Sequence, residues 1–218
     1  MSKRALAWTA AVALVVAFIS ALAFDRGLAE AVRHSGIESA AVIVRVREAF
    51  DVLTGSFLAR SYGGIGQMLL GATLIAIGLV WLLARRTNFT ARALIFTGLV
   101  QICTIEAGSV LKGVFGRLRP FQLLEHNDWS HVWFAGGNSF PSGHVAFFWG
   151  LFLPLAYLYP KYRVPLLVVP VFIAFARIDE NVHFLSDVLG SIALAAFVTL
   201  LAAVVFGRWI RPAASPRS

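Results

Sequence analysis

Charge is scarce in this chain, and sulfur is scarcer. Only 14% of the 218 residues are charged, and Cys103 is the sole cysteine. One cysteine excludes an intramolecular disulfide and leaves no multi-cysteine metal pattern. So little charge beside 59% hydrophobic residues and a mean hydropathy of +0.78 argues against a soluble domain, which would need more polar surface to cover its core. An internal repeat and a low-complexity tract are also missing, and only Pro212 to Ser218 reads as a flexible tail. Acidic residues number 11 against 19 basic ones, a net charge of +8. In a soluble protein that excess would raise nucleic-acid binding. Here the basic residues sit in short clusters between apolar runs, the pattern of topology control, so no nucleic-acid partner is expected.

What is present is apolar sequence in long runs. Five or six stretches are long enough to cross a hydrocarbon core of ~30 Å, which takes about 20 helical residues. They run from about Ala5 to Phe24, Gln67 to Ala84, Ala93 to Leu111, past Pro141 to Tyr159, Val164 to Ile178 and Asp187 to Phe206. Each must be helical, because only a helix satisfies its own backbone hydrogen bonds in lipid. The fold class expected is therefore all-α, an integral-membrane bundle of six transmembrane helices. Residues 1–211 form one domain, and residues 212–218 form a cytoplasmic tail. The first stretch also has the look of a secretory signal, with Ser2-Lys3-Arg4 ahead of it and Ala21-Leu22-Ala23 at its end. Its length favours a retained helix, and either outcome leaves residue 25 on the outer side.

Basic residues orient the bundle. With a cytoplasmic N-terminus, the cytoplasmic loops hold Arg85, Arg86 and Arg92, then Lys161 and Arg163, then Arg208, Arg211 and Arg217. The positive-inside rule thus places both termini in the cytoplasm. Asp25 to about Tyr62 is too polar to span. Leu28, Val32, Ile37 and Val42 alternate there with Arg33, Arg45 and Arg47, which suggests amphipathic helices at the outer interface, serving as a structural cap ahead of a binding role.

Ionisable residues beside membrane helices are costly and call for a reason. Lys112 to Pro120 closes the third stretch, Pro141-Ser142-Gly143-His144 opens the fourth, and Arg177 closes the fifth ahead of His183 and Asp187. Under the orientation above, all three groups emerge at the outer face. Lys112, Arg119 and Arg177 supply cationic donors, and the arginines suit a bidentate grip on phosphate oxygens. Ser142 and Gly143 precede a helix whose N-terminus favours an anion. His183 and Asp187, four apart on one helical face, suit a carboxylate fixing an imidazole tautomer, which makes a competent nucleophile. His144 is placed to protonate a leaving oxygen.

Lys112-x6-Arg119-Pro120, Pro141-Ser142-Gly143-His144 and Arg177-x5-His183-x3-Asp187 together resemble the three-part signature of the type 2 phosphatidic acid phosphatase superfamily. That superfamily includes membrane lipid phosphatases and is related to soluble vanadium haloperoxidases. The signature spans residues 112–187, and the helix pattern fits the family's six-helix core. The resemblance implies that His183 attacks phosphorus to form a phosphohistidine, with Asp187 orienting it and His144 protonating the leaving group. It also implies that Lys112, Arg119, Ser142, Gly143 and Arg177 hold the phosphate, with no metal and no cofactor. One departure stands out: the family usually has a serine before the third-motif arginine, and this chain has Ala176.

The expected reaction is hydrolysis of a phosphate or diphosphate on a membrane lipid. Candidates are a polyprenyl diphosphate, phosphatidylglycerophosphate, phosphatidic acid or a lipid A-type glycolipid. The expected setting is a bacterial inner membrane with a periplasmic active site; the oligomeric state is left open. A phosphotransferase would share the phosphohistidine and differ in its acceptor, and haloperoxidase chemistry fits the membrane spans less well. A transporter or lipid-binding protein fits worst, because such proteins usually hold charge near the midplane. Arg117 reads either as a further phosphate contact or as a solvated loop cation. Glu106 reads as the partner of a buried polar group or of an active-site cation. His34 reads as a surface residue, and Trp129 and Trp133 as an interfacial belt or the rim of a lipid path.

Overall fold

A computed structural model describes residues 1–35, 65–85 and 88–210. Among these residues all regular structure is helical. The helices are α1 (Lys3–Ala23), α2 (Asp25–Ser35), α3 (Ile65–Ala84), α4 (Phe89–Phe115), α5 (Pro120–His126), α6 (Gly143–Leu158), α7 (Arg163–Asp179) and α8 (Leu185–Ile210). A 3-10 turn at Pro160–Tyr162 links α6 to α7. All six apolar stretches read from the sequence are helices. Four of them, α1, α3, α4 and α8, are long and apolar enough to cross a membrane. The remaining two, α6 and α7, have 16 and 17 residues and one proline each beyond the first turn, Pro154 and Pro170. The tail at 212–218 and the stretch from Gly36 to Tyr62 lie outside the described residues.

Local signals set the helix ends. Ser2 caps α1 by accepting from Ala5 N–H at 3.1 Å. Asn88 caps α4 by accepting from Thr90 N–H at 2.8 Å, which satisfies a donor the first turn leaves unpaired. At its other end α4 stops at Gly116, whose φ of 47° is left-handed and suits a residue without a Cβ.

α4, α6 and α8 pack on one another and form the centre. α1 lies along α8, α3 along α4, and α7 along α6. Small residues permit the tight pairs. A Cβ on Gly78 would sit 2.7 Å from the Ala91 carbonyl oxygen, and one on Gly71 would sit 2.9 Å from that of Gly98. The α3–α4 backbones therefore touch, as helices packed by dispersion in lipid require. The main core joins Leu6 of α1 to Val145, Trp149 and Leu153 of α6, and to Val188, Ala195 and Ala196 of α8. Outward-facing side chains stay apolar, including Val15 and Phe18 on α1, Val80 and Leu83 on α3, and Val204 and Val205 on α8. A surface of that kind suits lipid.

The short helix α2 turns off the end of α1 and packs on α5 and the loop beyond it. Ala29, Leu123 and Phe184 form a small core there, and Arg33 Nη1 donates to the Leu124 carbonyl at 2.6 Å. That arrangement matches the cap expected of the segment after Asp25, as far as Ser35.

Candidate active site

Chain direction alone brings one end of α4, α6, α7 and α8 together, and backbone hydrogen bonds lock it. Ser142 N–H donates to the Asp187 carbonyl at 3.2 Å, tying the start of α6 to the start of α8. His183 N–H donates to the Arg177 carbonyl at 3.2 Å, tying the end of α7 to the loop before α8. At this end lies a cavity of about 320 Å³ walled by Lys112, Arg119, Asn138, Gly143, His144 and His183. Gln67 of α3 and Ser109 of α4 reach it as well.

Of the residues singled out in the sequence, Lys112, Arg119, Gly143, His144 and His183 thus share one cavity. Ser142, Arg177 and Asp187 are buried beside it. Among the described residues Ser142 Oγ has no hydrogen-bond partner. Arg177 pairs with Glu180 at 3.2 Å. Ala176, where the family usually has serine, does not line the cavity.

His183 is fixed from behind. Its Nδ1 lies 3.5 Å from Asp187 Oδ2 and the same distance from Ser139 Oγ. With Nδ1–H turned to the carboxylate, Nε2 carries the lone pair toward the cavity. Burial pushes the His183 imidazole well below an ordinary histidine, to about 4, although Asp187 pulls the other way. The ring is therefore neutral at pH 7, the form that can attack.

Asp187 is fully buried and fully engaged. Its Oδ2 accepts from Ser139 Oγ at 2.5 Å and Phe184 N–H at 2.9 Å, and its Oδ1 accepts from Arg117 Nη1 at 2.6 Å. Arg117 is 1% exposed, so the structure gives it neither of the positions the sequence suggested. Its guanidinium lies between the rings of Trp133 and Phe184, 4.1 Å from each centroid. Arg117 Nη1 also donates to Ser186 Oγ at 2.6 Å, and Nη2 to Asp25 Oδ2 at 2.7 Å. Trp133 is thus a wall for Arg117 and also lines an apolar cavity against α1, and Trp129 packs on Phe184 under Arg26. Glu106 is exposed on α4, and His34 is a surface residue as expected.

Sequence reasoning passed over Ser139, Asn138 and Asp25. Asp25 had one available signal, a carboxylate directly after an apolar span. Asn138 and Ser139 had none, since nothing marks a loop asparagine or serine before the chain folds.

The profile of the PAP2 superfamily, the type 2 phosphatidic acid phosphatases, matches residues 89–211, more than half of the chain. The chain belongs to this superfamily. It is 32% identical over 117 residues to the lipid A 1-phosphatase of Rhizobium johnstonii, a stretch covering 52% of this chain and 45% of that protein. To the lipid A 1-phosphatase of Rhizobium etli it is 31% identical over 117 residues, covering 52% and 47%. The matched stretch thus spans about half the length of these relatives. No solved structure matches the chain.

Proposed function

We propose that the chain is an integral-membrane phosphatase that hydrolyses a lipid phosphate through a phosphohistidine on His183. The observation that carries this reading is the placement of His183, backed by Asp187, across one cavity from His144 and beside Lys112 and Arg119. Lys112 and Arg119 hold the phosphate oxygens, and the N-terminus of α6 at Ser142 and Gly143 faces the same charge. Arg177 completes the cationic side, held in place by Glu180. His183 Nε2 attacks phosphorus, and the bond to the lipid oxygen breaks with its electron pair leaving on that oxygen. Protonated His144 donates the proton that neutralises it. In the second half, neutral His144 takes a proton from water, the hydroxide attacks phosphorus, and the P–N bond breaks to return His183 and free phosphate. Protein cations supply the electrostatic stabilisation, so the reaction proceeds without a metal.

The names of the relatives make a lipid A-type glycolipid phosphate the first substrate to try. The six apolar helices all span, with α6 and α7 as the short pair, and the site opens to the periplasm of a bacterial inner membrane. Purified protein in detergent, with EDTA present, is expected to release phosphate from at least one of lipid A, phosphatidic acid, phosphatidylglycerophosphate and a polyprenyl diphosphate, and His183→Ala to release none. Release that survives in His183→Ala, or that EDTA abolishes, overturns the mechanism. Phosphate appearing on an added alcohol in place of water would assign the transferase reading instead.

A further inference from the structure

The residues behind the nucleophile form a chain of charges that reaches into a part of the protein outside the family match. Asp25 sits where α1 turns into α2, and it is 4% exposed. Four donors converge on its carboxylate. Ser20 Oγ donates to Oδ1 at 2.7 Å, Ser186 N–H to Oδ1 at 3.1 Å, Arg117 Nη2 to Oδ2 at 2.7 Å, and Ser186 Oγ closes on Oδ2 as well. A staple between α1 and the loop would need none of this convergence, since apolar packing at the same place holds helices at lower cost. Buried charge of this kind calls for a different reason.

The reason lies in charge balance. Arg117 and Asp187 alone would make a neutral pair, and a neutral pair gives little to the positive charge that develops on the His183 ring when Nε2 bonds to phosphorus. Asp25 adds a second carboxylate to the same guanidinium, so the chain Asp25–Arg117–Asp187 keeps one net negative charge. Arg117 is clamped between Trp133 and Phe184, which prevents it from swinging into the cavity. Its rigid fork reaches the two carboxylates through separate nitrogens, Nη1 to Asp187 and Nη2 to Asp25. We propose that Asp25, acting through Arg117, is a positioning residue for the nucleophile: the three-charge chain orients Asp187 against His183 and holds one negative charge behind the ring.

This rests on His183 as the nucleophile, and the two ideas separate in the test. The other charged or titratable groups around His183 are Lys112 of α4, Arg119 at the start of α5, His144 of α6 and Arg177 of α7, and all stay unchanged. The first readout needs no substrate: the titration of His183 followed by nitrogen NMR of the imidazole-labelled full chain in detergent, with the signal assigned by its loss in His183→Gln. Arg117→Gln leaves two facing carboxylates, and the His183 midpoint is expected to rise by about one unit or more. Adding Asp25→Asn to Arg117→Gln restores one negative charge and is expected to bring the midpoint back toward wild type. A midpoint that stays put in Arg117→Gln, or that Asp25→Asn drives further up, overturns the proposal.

The second readout is kinetic, with short-chain phosphatidic acid and lipid A in detergent micelles as the probes. Asp25→Asn is expected to lower kcat roughly tenfold to a hundredfold with KM within about twofold, the mark of an interaction made in the transition state. Glu30→Gln, on the same helix and paired only with Arg26 outside this chain of charges, is expected to match wild type. A KM rise with kcat intact would place the pair in phosphate binding and overturn the proposal. The Asp25→Asn/Arg117→Gln variant keeps one negative charge and buries no unpaired cation, so it remains testable if a single variant fails to fold; a His183 midpoint well away from wild type in that folded double variant also overturns the idea. If His183→Ala keeps full activity, the reading of the nucleophile fails first.

Discussion

Lys112 Nζ donates to the Asn138 carbonyl oxygen at 2.5 Å, and the side chain of the same asparagine accepts from Arg119 Nε at 3.0 Å. One loop residue therefore sets both cations of the first motif. Two like charges beside one cavity repel, and a shared neutral acceptor lowers that cost without cancelling either charge. Asn138→Ala keeps the carbonyl and loses the Oδ1 contact. Its kcat/KM is expected to fall roughly tenfold, mainly through KM, the worth of one charge-assisted bond at an exposed position. Asn138→Asp should fall further, because a carboxylate neutralises Arg119 and repels phosphate. Steady-state kinetics on both variants check the order wild type, Ala, Asp; an Asp variant better than Ala would refute it.

The roles proposed for His144 and His183 differ in what they do to the leaving group, and substrate chemistry can tell them apart. An alkoxide leaving a lipid phosphate needs a proton, whereas a nitrophenolate does not. In kcat/KM, which reports the half-reaction that expels the leaving group, His144→Ala is expected to lose about a hundredfold to ten-thousandfold on a lipid phosphate and much less on para-nitrophenyl phosphate. His183→Ala should lose at least about a thousandfold on both. Equal losses for His144→Ala on the two substrates would remove the general-acid assignment.

Burial of neutral His183 also couples stability to pH. Its folded value of about 4 lies below the ordinary 6.5, so between these limits the unfolded chain binds the extra proton and the folded chain does not. The contribution is complete above pH 6.5 and is lost as pH falls toward 4. It amounts to on the order of 3 kcal/mol. Thermal unfolding in detergent is expected to show a steeper loss between about pH 7.5 and about pH 5 in wild type than in His183→Gln. Parallel curves for the two proteins would show that the imidazole titrates normally in the folded state. The low folded value also keeps the imidazole neutral, so with His183 as the proposed nucleophile kcat/KM should show no acid limb from it above about pH 5.

The order of apolar runs was enough to read the long helices that frame the site, because an apolar segment in lipid has one way to satisfy its backbone; the short α5 after Arg119 carries no such signal. The cavity residues Lys112, Arg119, His144 and His183 were legible because an ionisable group at the end of a membrane helix is costly and stands out in the sequence, and Gly143 because it opens a helix beside them. Arg117 was not. A cation in a loop costs nothing until the fold encloses it, and the sequence does not show that Trp133, Phe184 and Asp25 will do so. Asp25 was read for topology alone, since its partner lies 92 residues away. Spacing within one helix can pair His183 with Asp187; no spacing rule pairs α2 with the loop after α4.

The side of the membrane on which the site opens rests so far on basic loops, and thiol labelling tests it directly. Cys103 is the sole cysteine, so Cys103→Ser gives a clean background. Asp128 lies in the exposed loop after α5, at the same end as the cavity, and Lys161 in the exposed turn between α6 and α7, at the opposite end. In spheroplasts, a membrane-impermeant maleimide should label Asp128→Cys, and should reach Lys161→Cys only after the membrane is opened with detergent. Labelling in the reverse order would put His183 in the cytoplasm, where it would meet only lipids of the inner leaflet. Labelling of both before permeabilisation would mean that the short helices α6 and α7 do not form a spanning pair. Their 16 and 17 residues cover about 25 Å each, so spanning also requires a bilayer that thins around them or flanking polar groups that reach outward.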